Sequence, residues 1–326
     1  MRKLEQIVKS GNTRLIEVKL PDIASSVKVF AKLESENPTG SVKDRAAQKI
    51  IEELLSGENY VLDCREDEFG ERKFVPRRLE YRPSVIILDS SSGNYGVSLA
   101  YFGRMYGLDV QLVVPGNIPR RLLQKIRDNG VEPIQTDPME DYHGALKKVK
   151  ELAKNPKYLY VNQYDNLGNL NAHRDGTGKE IWEQTNGELT HFVAGVGTGG
   201  TIIGATIYLK KIKPSLNVYS IHPSNFPGVQ GLQPFVKPTY VKEPFIDGRI
   251  MSNIFEKYNE LIINKVGVIT EEAVKWWDWL RKSKFDVGMS SGANIAGIVK
   301  LIKNGNIKEG IVVTLFPDHL DRYKDM

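Results

Sequence analysis

Again and again this chain runs through a short apolar stretch, turns on glycine or serine, and opens into a helical segment. Strands are predicted near Val85–Leu88, Val110–Val114, Glu132–Gln135, Tyr158–Val161, Phe192–Ala194, Val218–His222 and Ile311–Phe316. Between them fall helical stretches at Pro119–Asn129, Tyr142–Ala153, Gly200–Lys211, Glu271–Lys282 and Asn294–Lys303. Short apolar strands that alternate with helices belong to parallel α/β architecture, with helices packed on the faces of a twisted sheet. In such folds the turns leaving the strands carry the ligand sites, so four of these turns hold the interest.

The first turn reads Asn37-Pro38-Thr39-Gly40-Ser41-Val42-Lys43-Asp44-Arg45. It follows Val27–Leu33, whose apolar residues alternate as in a half-buried strand. Pro38-Thr39-Gly40 turns the chain, and a helix is expected from Ser41 as N-cap, with Asp44 completing an acidic version of the capping box. A lysine in the first helical turn opposes the helix dipole at a cost of ~0.3–1 kcal/mol. The same dipole lowers the amine pKa, which suits a nucleophile. Taken alone, Lys43 reads as an ordinary exposed lysine, and the other turns overturn that reading.

Ser90-Ser91-Ser92-Gly93-Asn94-Tyr95-Gly96 forms the second turn, ahead of a helix with Leu99, Phe102 and Tyr106 on one face. Hydroxyls, glycines and a carboxamide at a helix start make a nest of donors for an anion such as a carboxylate. The third, Gly195-Val196-Gly197-Thr198-Gly199-Gly200-Thr201, satisfies the dinucleotide pattern G-x-G-x-x-G through Gly195, Gly197 and Gly200. That pattern needs an acid at the end of the next strand to bind a ribose. The next strand, Asn217 to His222, has no carboxylate. A phosphate cradle without a ribose acceptor suits a phosphorylated cofactor that lacks ribose. The fourth turn, Gly288-Met289-Ser290-Ser291-Gly292-Ala293, reads as another strand-to-helix junction. Together these turns supply an amine, a carboxylate nest, a phosphate cradle and a hydroxyl pair. Pyridoxal 5'-phosphate requires that set: a Schiff-base lysine, phosphate anchors and a partner for the pyridine nitrogen.

Over nearly its whole length the chain resembles the cysteine synthase and cystathionine β-synthase branch of the fold-type II pyridoxal-phosphate enzymes. The family opening I-G-N-T-P-L is present as Ser10-Gly11-Asn12-Thr13-Arg14-Leu15, and N-P-x-G-S-x-K-D-R spans Asn37 to Arg45. The carboxylate loop T-S-G-N-T-G corresponds to Ser91–Gly96, and the phosphate loop G-V-G-T-G-G-T is intact from Gly195 to Thr201. The closing P-D-x-x-x-R-Y is matched by Pro317-Asp318-His319-Leu320-Asp321-Arg322-Tyr323.

The resemblance implies a tryptophan synthase β-like fold of two α/β domains with the cofactor in the cleft between them. A smaller substrate-loop domain would hold 46–160, and a larger cofactor domain 1–45 with 161–326. It makes Lys43 the Schiff-base lysine and general base. Gly197, Thr198, Gly199, Gly200 and Thr201 would hold the phosphate, Asn94 would contact the cofactor, and Ser290 would face the pyridine nitrogen. Ser91, Ser92, Gly93, Asn94, Tyr95 and Gln163 would bind the substrate amino acid. The implied reaction is β-replacement on an activated serine with sulfide.

Departures from the pattern are Arg14 for a proline and Tyr95 for a threonine. An aromatic at 95 resembles the archaeal O-phosphoserine sulfhydrylases, as does Val161-Asn162-Gln163-Tyr164 followed by Ala172-His173. Those enzymes carry an arginine for the substrate phosphate after a P-G-[IV] step, whereas Pro227-Gly228-Val229 is followed here by Gln230-Gly231. The leaving group therefore stays open between acetate and phosphate. Cystathionine β-synthase-like, diaminopropionate-forming and dehydratase activities stay open as well. A nicotinamide oxidoreductase and a non-catalytic binding protein are the rival classes, and one visible spectrum separates them from a yellow lysine-bound pyridoxal cofactor.

With 326 residues, 40% hydrophobic and 26% charged, the chain has room for two sizeable cores. A net charge of +5 is a modest excess, and Arg120-Arg121 and Lys210-Lys211 lie on helices whose apolar faces leave them to solvent, so no nucleic-acid partner is expected. An anionic cofactor and substrate are a milder reason for positive potential. No metal site is expected. Cys64 is the sole cysteine, which suits a reducing compartment. Neither a signal-like opening in Met1-Arg2-Lys3-Leu4-Glu5 nor an apolar run of membrane-spanning length is found. A cytoplasmic homodimer is the expectation. One stretch breaks the α/β rhythm: 57–84 is long and charged, and Tyr60-Val61-Leu62 and Lys73-Phe74-Val75 are expected to pair as a hairpin about Phe69-Gly70, as a surface ornament or interface.

Overall fold

The structure is a computed structural model that describes residues 8–67, 71–225, 228–233 and 252–323. The N-terminal Met1–Glu5, the turn Phe69-Gly70 and Pro227 lie outside the described residues. In chain order the elements begin with β1 (Leu15–Glu17), β2 (Val27–Leu33), α1 (Lys43–Ser56), β3 (Tyr60–Glu66), β4 (Arg72–Arg78), β5 (Ile86–Ser90) and α2 (Asn94–Met105). Then come β6 (Val110–Val114), α3 (Arg120–Asp128), β7 (Ile134–Gln135), α4 (Asp141–Leu152), β8 (Tyr158–Tyr160), α5 (Leu167–Ala172), a π-helical turn (His173–Gly178) and α6 (Lys179–Gln184). The remainder is β9 (Leu189–Gly195), α7 (Gly200–Ile212), β10 (Asn217–Pro223), α8 (Asn253–Lys257), β11 (Asn264–Val268), α9 (Thr270–Lys282), α10 (Met289–Lys303) and β12 (Gly310–Phe316).

Two sheets organise these elements. The larger has strand order β1-β2-β12-β9-β10-β11, parallel except for the antiparallel edge strand β1. The smaller, β7-β6-β5-β8, is parallel throughout. Parallel strands buried on both faces read as continuous apolar runs. In β9, Phe192 and Ala194 pack into one core with α6, α7 and α8, while Val193 faces the other with α9 and α10. Around the smaller sheet, α1, α2 and α3 close one face and α4 the other. The helix α1, which starts at Lys43, thus packs with the smaller sheet through Ala47, Ile50, Ile51 and Leu54.

The predicted strands and helices are present, with ends shifted by at most five residues, β7, β8 and α3 being shorter than expected and β9 and α10 longer. Three expectations need correction. Lys32, on the polar side of the alternation in β2, is fully buried and pairs with Glu180 at 2.7 Å. It also donates to the Thr13 carbonyl and to Gln184, so a buried cation is tolerable because each of its protons has an acceptor. The Ser290 helix does not follow a strand; Val287 forms a single bridge to His319. Finally, the predicted hairpin exists as β3 and β4, paired from Tyr60–Arg78 to Glu66–Arg72, but its root is no ornament. Val61 and Leu62 are 2% and 1% exposed and enter two different cores. Asn59 exchanges hydrogen bonds with Asn166, Leu62 N donates to the Asp165 carbonyl, and Asn253 donates to the Leu62 carbonyl. An alternating strand at the junction of two layers can bury both of its faces, which the mixed charges of its tip concealed.

Candidate active site

The loops that leave β2, β5, β8, β9 and β12 at their carboxyl ends converge on one cleft of about 520 Å³. Its wall includes Lys43, Ser91, Ser92, Gly93, Asn94, Tyr95, Gln163, Gly197, Thr198, Gly199, Thr201 and Ser290. Of the residues expected at the site only Gly200 is set back from it.

Lys43 opens α1 on the cleft wall. The expected cap is absent: Val42 occupies the N-cap without a side-chain bond, and the Ser41 hydroxyl accepts only weakly from Lys43 N at 3.3 Å. The Asp44 carboxylate instead accepts from Thr39 N at 2.6 Å and from the Thr39 and Ser98 hydroxyls, which pins the turn to α2. Burial holds the Lys43 amine below its ordinary pKa, and the Asp318 carboxylate pulls it back up. Among the described residues the amine makes no hydrogen bond or ion pair. A Cβ built on Gly197 would stand 3.9 Å from its Nζ and 2.7 Å from the Gly231 carbonyl, so the phosphate loop passes close by in a slot that only glycine fits.

The cradle works through helix physics. Gly199 takes the left-handed conformation (φ +87°) and α7 begins at Gly200, which leaves the first N–H groups of the helix facing the cleft without intrahelical partners. Asn169 donates to the Thr198 hydroxyl at 2.8 Å, and the Thr201 hydroxyl meets Nε2 of His173 at 3.1 Å. Burial drives the His173 pKa well down, so the ring is neutral and its Nδ1 pairs with Thr177. Gly200 is required for a different reason than the sequence suggested. A Cβ there would lie 2.2 Å from Asn169 Oδ1, against the side chain that orients Thr198.

The second loop also departs from expectation. The Ser91 hydroxyl accepts from the backbone N–H of Gly93 and Gly96, so it shapes the turn, while Ser92 stands exposed. Tyr95 touches the cleft, yet its ring is 2% exposed and packs into the core of the smaller layer. Its phenol faces Asp89, a buried carboxylate that accepts from Ser90 N at 2.8 Å and Gln163 N at 3.0 Å. Tyr95 thus stands on the cleft wall and at the same time supports the loop from the core of the smaller layer. Gln163 donates to the Ser90 carbonyl, which joins the ends of β5 and β8. Arg14, the other departure, donates its backbone N–H to Glu36, a bond that proline lacks.

Several cleft residues were given no role by the sequence: Tyr142, whose hydroxyl lies 3.0 Å from that of Ser90, Tyr164 beside it, Gln230, Gln233, Asn294 and Asp318. The buried oxygens Asn94 Oδ1 and Asn294 Oδ1 have no partner among the described residues. A desolvated amine, a helix-start cradle, unpartnered polar atoms and the hydroxyl of Ser290, 4% exposed at the start of α10, fit a phosphorylated aldehyde cofactor. Among the described residues no cluster of His, Cys, Asp and Glu could hold a metal ion, and no helix is long and apolar enough to cross a membrane.

Two open α/β layers with a lysine at this cleft define the class of fold-type II pyridoxal-phosphate enzymes. Comparison with known proteins agrees. The model of the family described as "Pyridoxal-phosphate dependent enzyme" matches residues 9–318, and the chain belongs to that family, with pyridoxal 5'-phosphate as its cofactor. A cysteine synthase of Aquifex aeolicus is 36% identical over 325 residues, covering 96% of this chain and 88% of its own. An O-acetylserine dependent cystathionine β-synthase of Bacillus subtilis is 29% identical over 96% of this chain and 93% of its own. Among solved structures, an O-acetylserine sulfhydrylase of Entamoeba histolytica superposes with a TM-score of 0.77 at 28% identity, over 100% of this chain and 92% of that one.

Proposed function

We propose that the protein makes L-cysteine by replacing the β-substituent of an O-activated serine, O-acetylserine or O-phosphoserine, with sulfide. The observation that carries this reading is the meeting of the Lys43 amine, the 91–94 loop with Gln163, and the α7 cradle in one cleft. The cysteine synthase relatives support it. Bound pyridoxal 5'-phosphate supplies the electron sink that makes the α-proton of an amino acid removable.

The residues of the chain then divide the work. Ser92 and Asn94, at the start of α2, bind the substrate carboxylate through their backbone N–H groups and side chains. Gln163 closes that site from β8. Gly197, Gly199, Thr198 and Thr201 anchor the phosphate, with Gly200 keeping α7 close against Asn169. Lys43 Nζ takes the α-proton as general base, and its lowered pKa gives it a neutral fraction for the task. The β-substituent leaves as its anion, sulfide adds at the β-carbon as hydrosulfide, and Lys43 returns the proton to the α-carbon. Ser290 would give the pyridine nitrogen a neutral partner, which would weaken the electron sink and favour elimination. We assign 46–160 to a smaller domain and the rest to a larger one, and we expect a cytoplasmic homodimer. The Bacillus subtilis relative favours homocysteine as a second nucleophile to be considered.

Lys43→Ala should purify without the yellow visible band and without replacement activity, because both cofactor tether and base are gone. Retention of both would remove Lys43 from the mechanism. Assays with O-acetylserine, O-phosphoserine and serine, each against sulfide and homocysteine, decide the substrate pair. Turnover of none of them would overturn the proposed reaction.

A further inference from the structure

The segment 317–323 that follows β12 touches the turn before α1, the 91–94 loop and the start of α10. Pro317 O accepts from Val42 N, Asp318 bridges Ser41, and Asp318 O accepts from Gly288 N beside the Ser290 helix. From the smaller layer, Lys125 on α3 reaches Asp321 at 2.6 Å. At the centre lies the Asp318 side chain, 3% exposed on the cleft wall. Its Oδ2 accepts from Asn94 Nδ2 at 2.7 Å, across from the larger layer to the smaller. That bond fixes the carboxamide of Asn94 and leaves Oδ1 and one N–H for the cleft. The same carboxylate faces the Lys43 amine and opposes its desolvation. The other titratable group around the amine is the neutral His173; Arg322 stands one step away, where its charge acts on Asp44.

We propose that Asp318 is a positioning residue for this site, which orients the Asn94 carboxamide and provides the counter-charge of the Lys43 amine. One buried carboxylate thereby couples the loop that holds the substrate to the group that moves its proton. Charge and hydrogen bonding can be separated, because the attachments of the segment to Ser41 and Gly288 use its backbone and survive side-chain substitution.

Asp318→Asn keeps an acceptor for Asn94 but removes the charge, whereas Asp318→Ala removes both. The first readout is the pH midpoint for acetylation of Lys43 by acetic anhydride, followed by peptide mass in the full chain stripped of cofactor. Both variants should shift this midpoint down by about one pH unit, a tenfold change in the protonation constant. The second is KM for the amino-acid substrate in the loaded enzyme. It should stay within about threefold in Asp318→Asn and rise about tenfold in Asp318→Ala, the loss of a charge-assisted bond. An unmoved midpoint in Asp318→Asn, or equal KM values in the two variants, overturns the proposal. Should Asp318→Ala fail to fold, Asn94→Ala replaces it: a raised KM with an unchanged midpoint supports the assignment, and an unchanged KM overturns it. The inference rests on Lys43 being the cofactor lysine, but the labelling midpoint is read without cofactor or substrate. Failure of the Lys43→Ala test and failure of this one are thus separate results.

Discussion

At the scale of single residues, buried polar groups behind the loops matter as much as the groups on the cleft. Asp89 shows this most directly. Desolvation lifts its carboxyl to about 7, against the bonds from Ser90 N and Gln163 N that favour the ionised form. In the unfolded chain the group ionises near its ordinary 3.8. Between those two values the folded protein keeps a proton that the unfolded chain has released. Stability therefore falls as pH rises through this window, at about 1.4 kcal/mol per pH unit from this group, and levels off above it. Asp89→Asn should lose that slope: its thermal midpoint should fall less than that of the parent between roughly pH 5 and pH 7. Parallel profiles for the two proteins would show that Asp89 does not retain its proton on folding.

At the scale of elements, the β3–β4 hairpin divides into a structural root and a solvent-facing tip. Leu62 is 1% exposed and packs with Phe192, Ile202 and Phe255, so Leu62→Ala should cost about 2–4 kcal/mol of stability in denaturant unfolding. Residues 65–67 and 71–73 carry ion pairs at the surface such as Lys73–Asp67, of the kind worth ~0–1 kcal/mol each, whereas Phe74 still packs against the core. Replacing that tip with a short Gly/Ser turn should leave both the unfolding midpoint and the cofactor colour close to the parent's. Loss of the cofactor on trimming the tip would make the hairpin part of the site. Removal of the whole stretch from Asn59 to Pro83 is a different matter, since it deletes Val61, Leu62 and Leu79 from two cores.

At the scale of the whole molecule, the cleft is walled by loops from both sheets, so a ligand there ties two separately cored layers together. A cofactor that binds the folded state alone stabilises it by RT ln(1 + [L]/Kd), about 2.7 kcal/mol at a hundredfold excess over Kd. The thermal midpoint should accordingly rise on adding pyridoxal 5'-phosphate to the stripped protein, and the rise should vanish in a variant with the phosphate slot filled, Gly197→Val. A midpoint indifferent to the cofactor in the parent would place its binding outside this cleft.

The parallel α/β class and the four chemistry-bearing turns were legible in the sequence because each is local. Periodicity, a glycine at a left-handed position and a lysine at a helix start are all encoded within a few residues, as at Gly199 and Lys43. Burial and pairing are not local. Lys32 lies on the polar side of the alternation in β2, and its burial depends on Glu180 and Gln184 far along the chain. Tyr95 showed no sign in the sequence of being rooted in the core of the smaller layer as well as at the cleft, and the charged hairpin hid a root shared by two cores. Asp318 sat in a recognisable motif with no role attached, because its role exists only where it meets Asn94 and Lys43. The sequence alone determined which groups could do chemistry, since those groups are set by residue type and backbone turn. Only the tertiary structure decided which of them are desolvated, paired and facing one another, because those properties belong to contacts between distant segments.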